Sequence, residues 1–248
     1  MPRGINDFDT GRIQGRNAGN ANSINIVSPS VVEDSLLLNL DAGNYQSYPL
    51  AGTTWYDLSG RGSNGTLTNG PVYIRDGGGA IDFDGTDDRV NGVIPSVPTD
   101  FAIEFFIKRD GSQLSFNSIF SLWNPSSPGP AAGSLQIDFG DTDGLNTLRV
   151  LTSATVVISD TTAISDNTWT HFFITRYQNV YSIFRNGVIT ASATNTDTVS
   201  LTDFAIGQNR GQNKFFSGAV SFFRFYSRIL GRQELVQNFN ATRARFNI

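Results

Sequence analysis

The chain has 248 residues, no cysteine, a formal net charge of -4, and 25 glycines and 19 phenylalanines. The missing cysteine excludes disulfides, thiolate metal sites and a cysteine nucleophile, and a weak net charge without any Lys/Arg run excludes the electrostatic footprint of a nucleic-acid or anionic-membrane binder. β-Branched and aromatic residues interleaved with turn formers favour strands over helices, at a length that suits a single all-β domain.

Residues 1–34 form a segment rich in Gly, Asn and Ser, with too few apolar residues for a buried face. It reads either as a polar tail or as an arm that orders against a partner, Ile13, Ile24, Ile26 and Val27 being able to pair with a neighbouring sheet edge. Its beginning, MPRGINDFDTGRIQG, lacks the continuous apolar core of a secretory signal, and nowhere do about eighteen apolar residues run together. The sequence therefore predicts neither an export signal nor a membrane span.

From Ser35 to Ile248, period-two segments and turn signals alternate, which predicts one domain. Trp55 and Tyr56 fall in a turn-rich stretch. GRGSNG, Gly60–Gly65, has the spacing of a dinucleotide-binding loop, but a strand-like TLTNGPVY follows it instead of a helix, so it predicts a turn.

FDGTDDR then puts Asp84, Asp87 and Asp88 around Gly85. It does not fit the helix-loop-helix calcium pattern, because the twelfth position from Asp84 is Pro95. Aspartates that accept from loop N–H groups would account for it as a turn between AIDF and RVNGVI. Calcium, the one cofactor the segment admits, needs six to eight oxygens. Asp138, Asp141 and Asp143 of IDFGDTDG are the possible further donors.

FAIEFFIK sets Phe101, Ile103, Phe105 and Ile107 on a core face, with Ala102, Glu104, Phe106 and Lys108 on the other, where Glu104 is expected to point outward. Trp123 and Asn124 precede the turn-rich NPSSPGP. WTHFFITRY alternates again and places the single histidine, His171, between Trp169 and Phe173, as a hydrogen-bonded packing residue. Asn186-Gly187 within VYSIFRNGVITASA predicts a hairpin with a type I′ turn.

FFSGAVSFFRFYSR sets Val220, Phe222, Arg224 and Tyr226 against Ser221, Phe223 and Phe225, a strand covered on both faces. LGRQELVQNFNATRARF reads as the one helix, with Glu234 in its first turn and Leu230 stapled to Leu235. These elements predict a two-sheet antiparallel jelly-roll sandwich with a short C-terminal helix.

Catalytic signatures are sparse. The chain lacks the G-x-S-x-G turn and a second histidine, which argues against a serine triad and a zinc site. A glycosidase needs two carboxylates flanking the scissile bond, yet Glu33, Glu104 and Glu234, the only glutamates, each have a structural explanation, and most aspartates lie in turns. No catalytic residue is assigned.

The pieces LLLNLDAGNYQSYPLAGTTWYDLSGRGSNGTLTNG, AIDFDGTDDRV, FAIEFFIK, WTHFFITRYQNVYSIFRNGVI and GAVSFFRFYSRILGRQELVQNFNATRARF together resemble the laminin-G-like and concanavalin A-like lectin/glucanase sandwiches, in the version found in tailed phages and marine bacteria. The resemblance spans Leu36 to Phe246 and leaves out the arm. It implies a jelly roll whose rim loops bind glycans or protein, sometimes with calcium. The E-x-D-x-x-E or E-x-D-x-E strand of the glucanase members is absent, and Gly231 stands where a serine usually precedes the last helix.

The function that follows is that of a non-catalytic virion structural protein of a tailed phage, as a head decoration, neck or tail and fibre component, with the N-terminal arm mediating assembly. Its expected partners are other virion proteins and copies of itself, and its expected location the virion. The alternative is a lectin-like module in which aromatic faces stack on sugar rings beside Asp and Asn acceptors. Trp55, Tyr56, Trp123 and Asn124 are the candidates for that role, with Trp55 the more apt to pack.

Overall fold

Alternating side chains form the strands and glycine- or asparagine-rich turns join them. A computed structural model describes residues 30–111, 117–126, 131–140, 146–209 and 214–248. Ile13, Ile24, Ile26 and Val27 of the arm, and Asp141 and Asp143, lie outside these residues.

The strands in chain order are β1 (Leu36–Asp41), β2 (Thr54–Trp55), β3 (Gly65–Thr68), β4 (Val72–Ile74), β5 (Ala80–Asp84) and β6 (Arg89–Val93). Next come β7 (Phe101–Arg109), β8 (Ser118–Trp123), β9 (Leu135–Gly140), β10 (Thr147–Thr152) and β11 (Thr155–Ser159). The last are β12 (Trp169–Tyr177), β13 (Val180–Arg185), β14 (Val188–Thr194), β15 (Asp203–Ile206) and β16 (Ser217–Tyr226). The helix α1 (Arg232–Thr242) and a 3-10 turn over Arg243–Phe246 close the chain. Among the described residues no helix is long and apolar enough to cross a membrane.

All pairings are antiparallel, in two sheets. The first runs β14-β13-β12-β7-β16-β5-β4, with β1 and β5 sharing one edge of β16 end to end. The second runs β11-β10-β9-β8-β15-β6-β3-β2. Between them lies the main core, to which β7 contributes Phe101, Ile103, Phe105 and Ile107 and the second sheet Val90, Phe120, Ile137, Val150, Phe204 and Ile206. Asn186 and Gly187, at φ of 48° and 80°, make the tight turn of the β13–β14 hairpin. Gly60 and Gly62 turn with positive φ in an irregular loop held by Asp57, which accepts from the N–H groups of Ser59 and Ser63.

The structure departs from simple alternation in β16. The register shifts between Val220 and Phe222, so Val220, Phe223 and Phe225 face the main core while Phe222, Arg224 and Tyr226 face outward. A bulge at Ser221 reverses the phase, as one extra residue in a strand must.

The outer face of the first sheet is covered, and this corrects the expectation for Glu104. Its side chain does point away from the main core, but α1 and the 3-10 turn lie over it, and it has no exposure. Its Oε2 accepts from Asn238 Nδ2 at 2.8 Å, Arg224 Nη1 at 3.2 Å and the Tyr226 hydroxyl at 3.4 Å, and its Oε1 lies 3.0 Å from His171 Nε2. Burial alone would raise the carboxyl pKa, but Arg224, His171 and Asn238 outweigh it and hold it below the ordinary glutamate value. Around this polar centre pack Phe106, Trp169, Phe222 and Phe246 on one side and Phe173, Tyr226, Leu230 and Leu235 on the other.

The helix also holds the first described residues. The Val32 N–H donates to Asn238 Oδ1 at 2.7 Å, and the Ser30 carbonyl accepts from Gln237 Nε2 at 2.7 Å. Residues just before Ser35 are thus already held by α1.

Glu104→Ala would take from Arg224 the nearer of its two counter-charges, Asp41 at 3.6 Å being the other, and is expected to cost about 3 kcal/mol, read as a lower urea midpoint. Because the folded-state pKa is depressed, the contribution of Glu104 is complete above the ordinary glutamate pKa and is lost as pH falls through the folded value. The deficit of Glu104→Gln against the parent should therefore shrink on acidification.

Candidate functional site

Open chemistry gathers at the loop between β5 and β6 and on the outward face of the second sheet beside it. Gly85, at φ 76°, makes the loop possible: a Cβ there would meet Ser217 Cβ at 2.8 Å. Asp84 Oδ1 accepts the Thr86 N–H at 2.8 Å, and Asp88 Oδ2 accepts the Asp84 N–H at 3.0 Å. The Asp87 carbonyl accepts from Asn69 Nδ2 at 3.1 Å. The aspartates thus close the turn through their side chains and backbone, as their residue type allows.

The same folding brings carboxylate oxygens of Asp84, Asp87 and Asp88 within 4.8 Å of one another. Asp88 is buried and the other two are exposed. Burial, followed by the charges of Asp84 and Asp87, pushes the Asp88 carboxyl above the ordinary aspartate range, against the Asp84 N–H that favours its charged form.

Three carboxylates fall short of the six to eight oxygens that calcium takes. Asp138 does not supply the remainder: it is buried on β9, with Oδ1 2.9 Å from Arg149 Nε, Oδ2 3.0 Å from Arg149 Nη2, and Gln136 Nε2 at 2.5 Å. Arg149 holds it because the β9–β10 register sets the two residues opposite each other on one face. Any cation at the acidic loop would take its other oxygens from backbone, water or ligand.

Next to the loop is a cleft of about 630 Å³. Thr86 and Asp87 come from the loop, Asn69 from the turn after β3, Arg89 and Asn91 from β6, and Trp123 from the end of β8. Gln208 and Phe215, joined by an isolated bridge, complete it. Strand phase explains the outward set: Val90 and Phe204 go into the core, so Arg89, Asn91 and Asp203 face away from it. A smaller depression of about 220 Å³ lies against Trp123 as well, lined also by Asn91, Gly92, Pro125, Asp203 and Phe204. The half-buried indole therefore borders two linked hollows.

Of the aromatic candidates, Trp123 alone lines the cleft among the described residues. Trp55 is fully buried in the main core, where β2 pairs with β3, and this removes it as a binding residue. Tyr56 is exposed but does not line the cleft. Asn124 closes the turn after Trp123 by accepting the Ser126 N–H at 2.9 Å.

Sequence reasoning missed Asn69, Thr86, Arg89, Asn91, Gln208 and Phe215. The one local signal was the polar pair flanking Val90 in RVN. The glutamates lie elsewhere: Glu104 is sealed, and Glu234 binds the Gly231 N–H at 2.8 Å and Arg228 Nη2 at 2.7 Å.

The raised Asp88 pKa makes a signed prediction. Folding favours its protonated form, so the destabilising charge is absent below the ordinary aspartate pKa of about 4 and sets in as pH rises toward the folded-state value. Asp88→Asn keeps an acceptor for the Asp84 N–H and should raise the melting temperature at pH 7. That gain should vanish below about pH 4 in the same thermal scans.

A family model described as the concanavalin A-like lectin/glucanases superfamily matches residues 75–236. A search of curated protein sequences returns no match. Among solved structures, domain 4 of AbnA, a GH43 extracellular arabinanase from Geobacillus stearothermophilus solved with arabinotriose, aligns with a TM-score of 0.63. It is 18% identical and the alignment covers 84% of this chain and 98% of that one.

The Trypanosoma rangeli sialidase solved with sialic acid aligns with a TM-score of 0.64 and 16% identity over 88% of this chain and 35% of its own. The botulinum neurotoxin type G receptor binding domain gives 0.60 and 16% over 83% and 51%. This chain thus spans about a third of the sialidase and about half of the toxin domain, and the likeness at these identities is one of fold.

Proposed function

The chain belongs to the concanavalin A-like lectin/glucanases superfamily, and we propose that it is a non-catalytic module that binds glycans in the Trp123 cleft. The observation that carries this reading is the juxtaposition there of an accessible indole with Asn69, Asp87, Arg89, Asn91 and Gln208. A sugar presents an apolar C–H face and a rim of hydroxyls. An indole face takes the first, while amides, a carboxylate and a guanidinium donate to and accept from the second. That domain 4 of AbnA, which shares the fold over nearly its whole length, was solved with arabinotriose supports the choice of ligand class.

Non-catalysis is supported by where the carboxylates lie. Glu104 is out of reach of solvent. Asp87 lines the cleft from the same turn that holds Asp84 and Asp88, and Asp203 lies not in the cleft but in the smaller depression that Trp123 also borders. A glycosidase needs its two carboxyl groups to flank the bond from opposite sides. We place the module on a tailed-phage virion, as a head decoration, neck, or tail and fibre component. The resemblance of Leu36–Gly70, Ala80–Val90 and Gly218–Phe246 to phage-borne versions of the sandwich supports that setting.

A glycan array followed by calorimetry on the hits tests the binding function. Trp123→Ala should weaken binding at least about tenfold, roughly 1.4 kcal/mol, while Tyr56→Ala leaves it unchanged. Loss with Tyr56→Ala alone would move the site away from the cleft. An array with no binder, for a protein that nevertheless assembles onto particles, would replace glycan binding with a purely structural role. Binding should persist in EDTA; loss on chelation, restored by calcium, would instead make a cation at Asp84, Asp87 and Asp88 part of the site.

A further inference from the structure

A second concavity lies on the outer face of the first sheet, between the start of α1 and the β13–β14 hairpin. It has a volume of about 440 Å³ and is lined by Tyr177, Phe184, Val188, Ile189, Leu235 and Val236, among others. Its walls gather four exposed apolar side chains: Val188 is 65% exposed and Ile189 54%, with Tyr177 and Val236 also exposed. A contiguous apolar patch of this kind marks an interface.

Where the described chain begins indicates what covers it. Ser30 and Val32 are hydrogen-bonded to Gln237 and Asn238 of α1. Val32 packs on the cluster of Leu230 and Leu235, the same residues that form the inner wall of the groove. Ser30, the first described residue, is therefore held at α1 itself.

Gln237 lies about 100° around the helix from Val236, so the arm has to cross the crest of α1 to enter the groove. A helix with its side chains is about 10–12 Å wide, and an extended chain covers about 3.3 Å per residue. Counted back from Ser30, Ile26 reaches about 13 Å and Ile24 about 20 Å. In SINIV the two isoleucines flank Asn25, so an extended segment turns both onto one face and the amide to water.

We propose that Ile24 and Ile26 of the chain's own N-terminal arm occupy this groove. The short connection to Ser30 gives the arm an effective concentration in the millimolar range at its own groove. A second copy's arm matches that only in concentrated solution.

The full-length chain contains no cysteine, so paired cysteines report proximity without background. Ile26→Cys or Ile24→Cys combined with Val188→Cys should form a disulfide within one chain under mild oxidation, seen as a monomer with a reductant-reversible gel shift. The control pair, Ile26→Cys with Val72→Cys on β4, should not. A disulfide-linked dimer at Val188 would assign the groove to a second copy's arm and overturn the proposal. Crosslinking no higher than the Val72 control would overturn it as well.

The double variant Ile24→Asp/Ile26→Asp in the full-length chain gives an independent readout. Vacating the groove should lower the melting temperature and raise binding of a dye for exposed apolar surface. No change in either would count against the proposal.

Discussion

The buried carboxylate of Glu104 is the constraint around which the outer half of the fold is arranged. A charge without solvent exposure costs several kcal/mol unless its partners are close and well aimed. Here they come from β12 as His171, from β16 as Arg224 and Tyr226, and from α1 as Asn238. The chain of charge continues outward: Arg224 Nη2 lies 3.6 Å from Asp41 on β1, and Asp41 holds Arg245 through two contacts at 2.9 Å. One ionic line thus ties β7 to β16, β1 and the end of the chain. The helix is seated by Asn238, whose amide donates to Glu104 and Tyr226 and accepts from the Val32 N–H.

This arrangement decides which faces remain available to a ligand. Stacked rings close the outer face of the first sheet beside the ionic line, with Phe246 lying 3.8 Å over Phe106. The second sheet also buries the polar residues Gln136, Asp138 and Arg149 on its outward face. Open polar chemistry is left toward β6, β8 and β15, where Trp123 ends a strand and the acidic loop rises beside it. Rigid strands position Arg89, Asn91 and Trp123, whereas Thr86 and Asp87 ride on a turn held by its own hydrogen bonds. A site built this way is largely formed before its ligand arrives, which limits the ordering cost of binding.

Much of the sandwich was legible because period-two alternation states which residues share a face. It failed where a local irregularity reset the phase, at Ser221. There the hydroxyl donates to the Gly79 carbonyl at 2.7 Å and the extra residue moves Val220 to the face of Phe223 and Phe225, while Phe222, Arg224 and Tyr226 keep the common face that alternation gave them. Glu104 was placed on the correct face but in the wrong environment, since strand periodicity does not reveal that a helix well over a hundred residues later covers that face. Trp55 and Tyr56 show the same limit from the other side: adjacent residues on a short strand end, one in the core and one in water. The cleft was hidden for a different reason. Asn69, Arg89, Trp123 and Gln208 come from distant segments, and only the β6-β15-β8 pairing brings them together.

The two concavities lie on opposite outer faces of the sandwich, and this separation has consequences for how the protein can be used. The polar cleft belongs to the second sheet and the apolar groove to the first. They share no lining residue, and the shared core between them is close-packed. A ligand in one leaves the other unobstructed, so a module anchored through the helix-bearing side still presents Trp123 outward. If the arm fills its own groove, it shields the exposed Tyr177, Val188, Ile189 and Val236. Attachment would then have to displace the arm or use another edge: among the described residues β14, β4, β2 and β11 end the two strand orders, β1 pairs with β16 alone, and β11 lies against β14. Free strand edges carry unpaired backbone donors and acceptors, and β4 and β2, whose residues line neither concavity, are edges where a second chain could add without disturbing either.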